Sequence, residues 1–332
     1  MTDVYNNIKG HEKHPDIVVM RSELETTCDC PAQAMMIRTG QVEDGGYLAN
    51  VGNEGHDILK KAAAWGTNKG SGRIDKDLMM EYINEEMCKS RPDLQPEVLR
   101  SMRGVANTLK YIPVERVVSV EKQYSFEWSA VNSDQGAVIL SCCIDLILAG
   151  KNEDEMHVHD YKTGFKKRTN GQVLDEFQTA FYCTVLFELY PQLTKIHFWY
   201  QQTRFGTHAY GVAEREKHAD DFRARIAMTL KDYLSHNKEC RPDIDHCSYC
   251  PATKLCPYAE GESKDFNDDK GLYLDQYIML KGRLSTMKST MDSYCIMNEV
   301  IESELNDFRY VEKVRKISFT AQKKKKKRVK DG

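Results

Sequence analysis

The sequence predicts an α/β fold, a central sheet covered by helices on both faces. Two observations carry this reading. Ala137–Leu148 reads AVILSCCIDLIL, the near-continuous apolar run of a strand buried on both sides. Around it, extended segments alternate with stretches of helical periodicity, the pattern of strands flanked by helices. A chain of 332 residues, 41% apolar and 29% charged, can build one large core with appendages.

The elements follow in order. Residues 1–20 are polar and irregular. Ser22–Ile37 reads as a short helix interrupted around Cys28, Cys30 and Pro31. Asn53 is placed as the N-cap of a helix running through Ile58 and Leu59 to Trp65. Residues 67–73 (TNKGSGR) form a loop before a helical stretch over 75–90, and Pro96 opens another helix that ends before Pro113. Strands are predicted over Val114–Trp128, Ala137–Leu148, 156–162 (MHVHDYK) and Thr194–Gln202, with helices over 172–190 and 214–235. Residues 21–260 make the main domain and 261–271 (GESKDFNDDKG) a polar linker. A long helix is expected over 272–310, with Tyr277, Leu284 and Met291 at heptad spacing, either as a coiled-coil seam or packed on its own domain. A basic tail, 311–332, ends the chain.

Net charge is −3, unevenly spread: residues 323–332 carry +6, leaving −9 on the rest. Global charge therefore does not argue for a nucleic-acid partner, and local motifs must. The lysine-rich tail is open to three readings: auxiliary phosphate binding, a solubilising segment, or a nuclear address. No run approaches a membrane span, and the N-terminus lacks the apolar stretch of a secretory signal, so a reducing, cytoplasmic setting without membrane association is expected. There, spaced cysteines point to metal before disulfides. Cys142, Cys143 and Cys183 sit in apolar runs as core filler, and Cys88 and Cys295 show no spacing pattern.

An aspartate inside a buried strand needs a partner, because an unpaired carboxylate there costs several kcal/mol. Asp145 is that residue. Asp160 and Lys162, two apart on the next strand, project from one face. If the strands are neighbours, two carboxylates and an ammonium meet, a grouping that suits Mg²⁺ or Mn²⁺ and phosphodiester hydrolysis. Gln178 and Tyr182 share a helix face at i, i+4. His157 and His159 fall on the strand face opposite Asp160 and read as structural.

Four segments in order carry a resemblance: Gly52–His56 (GNEGH), Ile144-Asp145-Leu146-Ile147, Asp160–Gly164 (DYKTG) and Gln178–Tyr182 (QTAFY). Together they resemble the RecB-type branch of the PD-(D/E)xK nucleases, similar to the nuclease domains of AddB-type and CRISPR-associated RecB-like exonucleases. The resemblance implies a restriction-endonuclease-like core with a mixed sheet. It implies a metal held by His56, Asp145, Asp160 and the Tyr161 carbonyl, and catalysis by Asp145, Asp160, Lys162, Gln178 and Tyr182. Cys143 departs from the small residue usual two before the strand aspartate.

Cys247-x2-Cys250-x5-Cys256 needs a fourth ligand. In relatives with an iron–sulfur staple, one cysteine before the core, followed by proline, joins three after it; Cys30-Pro31 matches. The resemblance therefore implies a 4Fe–4S cluster on Cys30, Cys247, Cys250 and Cys256, joining the beginning of the domain to its end, with Zn²⁺ the alternative. Cys28, Cys240 and His246 are other candidates for the fourth ligand.

The implied activity is a Mg²⁺- or Mn²⁺-dependent deoxyribonuclease, an exonuclease or end-processing enzyme of recombination, repair or replication, acting on DNA ends or single strands. A catalytically idle DNA-binding or scaffold subunit is the alternative. A helicase or a recombination or replication protein is a candidate partner. Oligomeric state stays open, and both a phage and a cellular origin are compatible.

Overall fold

The computed structural model describes residues 17–42, 47–68, 72–91, 94–113, 116–128, 137–243, 247, 250–256, 284, 300–302, 308–312 and 319–323. The chain forms two compact units, Met1–Arg241 and Pro242–Gly332.

The first unit is a six-stranded mixed sheet between two helical layers. Its strands are β1 (Ile17–Met20), β2 (Val117–Glu127), β3 (Val138–Ala149), β4 (Glu155–Lys162), β5 (Lys195–Gln202) and β6 (Thr207–Glu214). The order is β1-β3-β4-β5-β6, with β2 also on β3. The central strand β3 is the predicted apolar run, and it is buried along almost its whole length.

Its pairing creates the feature on which the site depends. The antiparallel β2 takes one edge of β3 from Ile139 to Leu148. The other edge is divided. Parallel β1 pairs with Val138–Ser141, and antiparallel β4 pairs with Leu146–Ala149. Between them, 142–145 have no ladder partner on that side. Both β1 and β4 run toward this gap and end at it, from opposite directions.

The helices are α1 (Arg21–Asp29), α2 (Pro31–Arg38), α3 (Tyr47–Asn68), α4 (Lys76–Met87), α5 (Gln95–Met102), α6 (Val105–Leu109), α7 (Phe177–Leu189) and α8 (Arg215–Leu234). One core packs α1, α7 and α8 on the sheet through Leu24, Phe181, Leu186, Phe222 and Ile226. The other packs α3 to α6 on the opposite face through Leu59, Met79, Val98 and Leu109 against Leu146, Leu148 and Tyr161. Helix α7 is buried on nearly all sides, from Phe177 to Phe187, as an apolar central helix must be.

Several elements differ from the sequence reading. Residues 17–20, expected to be irregular, form β1: the run IVVM is short, but β3 offers it a free edge. Helix α3 begins at Tyr47, so Asn53 lies inside it rather than at its cap; buried Val51 gives the extra turn an apolar anchor. The helix expected from Pro96 breaks at Gly104 into α5 and α6. There a Cβ would lie 2.2 Å from the Gly206 nitrogen, and the Gly104 amide donates to the Thr203 carbonyl at 2.8 Å. Strand β6 was not expected; it returns from β5 through Gly206, whose φ of +63° favours glycine.

In the second unit, a 3₁₀ turn covers Pro251–Lys254, and β7 (Val300–Glu302), β8 (Phe308–Glu312) and β9 (Phe319–Lys323) form an antiparallel sheet. These strands overlap the end of the helix expected to 310 and the start of the expected tail. Their sequences, VIE, FRYVE and FTAQK, are rich in β-branched and aromatic residues, which favour strands. The linker at 261–271, residues 272–283 and 285–299, and the lysines after 323 lie outside the described residues. Among the described residues, no helix is long and apolar enough to cross a membrane.

Candidate active site

The site forms at the gap on the edge of β3. Asp145 stands where β4 leaves the ladder, and its Oδ2 accepts from the Tyr161 backbone N–H at 2.7 Å. A side chain thus replaces the missing ladder carbonyl and brings the two strands' acidic residues together. Asp145 and Asp160 are both buried. Burial, and then the Asp160 charge, push the Asp145 carboxyl well above the ordinary range.

Asp160 belongs to a tight polar cluster. Its Oδ1 accepts from Gln178 Nε2 at 2.5 Å, and its Oδ2 lies 2.6 Å from Lys162 Nζ, outside hydrogen-bonding geometry. Lys162 Nζ donates to Gln178 Oε1 at 2.6 Å. Gln178 Nε2 also donates to the Tyr182 hydroxyl at 3.0 Å, and that hydroxyl donates to the Cys143 carbonyl at 2.8 Å. One amide on α7 therefore bridges the acid and the base of the D-x-K strand and ties both to β3.

His56 arrives from the other helical layer. Its Nδ1 is 3.6 Å from Asp145 Oδ2, and its ring hydrogen-bonds the Tyr161 backbone. Burial, reinforced by the Lys162 and Arg21 charges against the opposing Asp160, pushes its pKa down to about 4. It is therefore neutral at pH 7, the state in which imidazole ligates metal. The glycines before it explain this approach: a Cβ on Gly55 would lie 3.0 Å from Thr163 Cγ2, so α3 passes close to the loop after Lys162. That loop is braced by Arg204, which donates to the Thr163 carbonyl and pairs with buried Glu97 at 2.6 Å.

The donor set of two buried carboxylates, a neutral imidazole and a nearby backbone carbonyl fits a hard divalent cation. Asp160 Oδ2, buried and without a hydrogen bond, is an acceptor that such an ion would satisfy. Among the described residues, no three His, Cys, Asp or Glu side chains are already gathered into a metal-holding group. In this structure Asp160 engages Gln178 and Lys162 instead.

The cysteines divide between the units. Cys30 lies in the first, at the N-cap of α2 ahead of Pro31, with its amide donating to Thr26 at 2.8 Å. Cys247, Cys250 and Cys256 lie in the second, where the Asp243 amide donates to Cys247 Sγ at 3.3 Å and Cys250 leads into the 3₁₀ turn. Cys28 and Cys240 belong to the first unit, and His246 lies outside the described residues.

His157 and His159 stand on the far face of β4, as the alternation requires. They join a ring column with His197 and Trp199, with His157 and His197 stacked at 4.5 Å.

Three features were not found in the sequence. Glu121 lies across β2 from Asp145 with a left-handed φ of +46°, which turns its carboxylate to 3.8 Å from Lys60 Nζ and 3.2 Å from Cys143 Sγ. Arg21 reaches over the Tyr182 ring, 5.8 Å from its centroid. Lys166–Arg168 form a basic loop just beyond the D-x-K strand, with Lys166 and Arg168 paired to Glu176 at 3.2 and 3.4 Å. No periodicity marks any of them; only the run KKR was visible as local charge.

A family model described as the PD-(D/E)XK nuclease superfamily matches residues 21–257. Comparison with individual curated proteins gives no match. The matched span takes in β2 to β6 of the mixed sheet, both helical layers and the acid–lysine cluster, an arrangement consistent with a restriction-endonuclease-like core. On the strength of that match, the chain belongs to the PD-(D/E)XK nuclease superfamily.

Proposed function

We propose that the protein is a Mg²⁺- or Mn²⁺-dependent deoxyribonuclease that acts as an exonuclease or end-processing enzyme. The observation that carries this reading is the meeting of Asp145, Asp160 and Lys162 at one break in the sheet, where Gln178 joins Asp160 to Lys162 and the Tyr161 N–H holds Asp145. Asp145, Asp160, His56 and the Tyr161 carbonyl would hold the cation. When bound, that ion polarises the scissile phosphate and lowers the pKa of water. Lys162 orients the attacking water and offsets charge building on the phosphate. Gln178 fixes the lysine against Asp160, and Tyr182 fixes Gln178. The 3′ oxygen leaves, giving a 5′-phosphate product. Recombination, repair or replication is the proposed setting, with a helicase or replication protein as a candidate partner.

The test is Mn²⁺-dependent degradation of end-labelled single- and double-stranded DNA. Lys162→Ala should lower the rate by at least about a hundredfold while leaving the fold intact. If wild-type protein binds DNA without cutting it under any divalent cation, the scaffold reading replaces this one.

We further propose that Cys30, Cys247, Cys250 and Cys256 hold a 4Fe–4S cluster, a reading supported by their spacing and by the proline after Cys30. Anaerobically purified protein should be brown and contain iron and sulfide. Colourless protein with stoichiometric zinc would move the assignment to Zn²⁺.

A further inference from the structure

Arg21 is the residue around the gap for which the proposed chemistry has no use. It is the first residue of α1, directly after β1 ends against Ser141 of β3. Lys162 ends β4, which comes from the opposite direction. The two cations thus face the break from its two sides. The Arg21 side chain is about a quarter exposed and makes a close ion pair with Glu25, one turn along its own helix. Its guanidinium lies over Tyr182, whose hydroxyl is joined to Gln178 and so to Lys162 and Asp160.

A single carboxylate does not use up a guanidinium, which presents five N–H donors in a planar fork suited to phosphate. A bond to Glu25 alone could be made anywhere along the solvent face of α1. Here the side chain instead spans from α1 to α7 and reaches the cluster containing the D-x-K lysine.

We propose that Arg21 binds a phosphate of the nucleic-acid chain next to the scissile one, on the β1 side of the gap. The inference rests on the nuclease reading. Lys162 and Arg21 would then hold successive phosphates of one strand and set its register across the metal-binding carboxylates.

The experiment uses the full chain carrying Lys162→Ala, so that DNA survives the measurement. Single-stranded and duplex oligonucleotides are titrated over a range of salt, with single methylphosphonate linkages walked along the strand and with the 5′ end as phosphate or hydroxyl. Adding Arg21→Gln should weaken binding about tenfold and flatten the salt dependence by about one phosphate contact. One neutralised phosphate should weaken the Arg21 chain but cause no further loss in Arg21→Gln. An internal linkage at that position identifies a backbone phosphate, and loss only with the 5′ hydroxyl identifies a terminal one; either supports the assignment. If Arg21→Gln loses its thermal transition, Arg21→Lys takes its place and should lose part of the affinity at the same linkage. Equal affinity and salt slope with and without Arg21, or losses that simply add at every linkage, overturn the inference alone. If neither the Lys162→Ala chain nor the wild-type protein binds any oligonucleotide, the nuclease reading falls, and this inference with it.

Discussion

Gly104 shows how one absent side chain sets the geometry of a loop. The backbone at Gly206 occupies the space where a Cβ would stand, and the obstruction is backbone, which cannot rotate away. Gly104→Ala must therefore separate α6 from the β5–β6 turn. It should cost about 1–3 kcal/mol, read as a lower urea midpoint with an unchanged slope. Glu121 makes the complementary point. A non-glycine residue at φ +46° carries local strain, and such strain gathers where a side chain has to be re-aimed. Here it directs a carboxylate toward Lys60 on the helix that also delivers His56.

At the scale of elements, β4 serves two environments. Its Asp160 and Lys162 point to the polar cluster, while His157 and His159 point to the ring column on the other face. Burial and then the His197 charge push the His157 pKa from its usual 6.5 down to about 4, with Glu155 opposing and Lys151 assisting. His159 and His197 are also pushed down, chiefly by burial. The folded state refuses protons that the unfolded chain accepts below pH 6.5. The stability these histidines contribute is thus fully present above pH 6.5 and is lost as pH falls toward 4. Thermal midpoints measured across that interval should fall with acidification, and His157→Gln should make the fall shallower. A variant whose acid limb matches the wild type would show that other groups control it.

For the molecule as a whole, the elements that were legible in the sequence are those with a strong local signature. The apolar run of β3 follows from composition over a few residues, the D-x-K strand and the Gln178–Tyr182 face from the family resemblance, and the structure brings Asp160, Lys162, Gln178 and Tyr182 into one hydrogen-bonded cluster. What could not be read depends on distant partners. Strand β1 is four residues long and exists because β3 leaves an edge free. The Gly104 break exists because a turn a hundred residues later presses against it. Arg21 and Glu121 acquire their places from topology and from one backbone angle, neither of which has a local sequence mark. The long-helix expectation failed at its end because heptad spacing was extended through residues with strong strand preference.

The division of the β3 edge also orders events in time. Ile17 pairs with Val138, about 120 residues later, so β1 is made first yet cannot dock until β3 has emerged. During synthesis the Asp145 strand can pair with β2 and β1, both already made, before β4 and then α7 are added. A nascent chain therefore carries Asp145 on a paired strand before Asp160, Lys162 and Gln178 have been made. The candidate site is completed only when α7 brings Gln178 and Tyr182 to the sheet, well after its first carboxylate is in place.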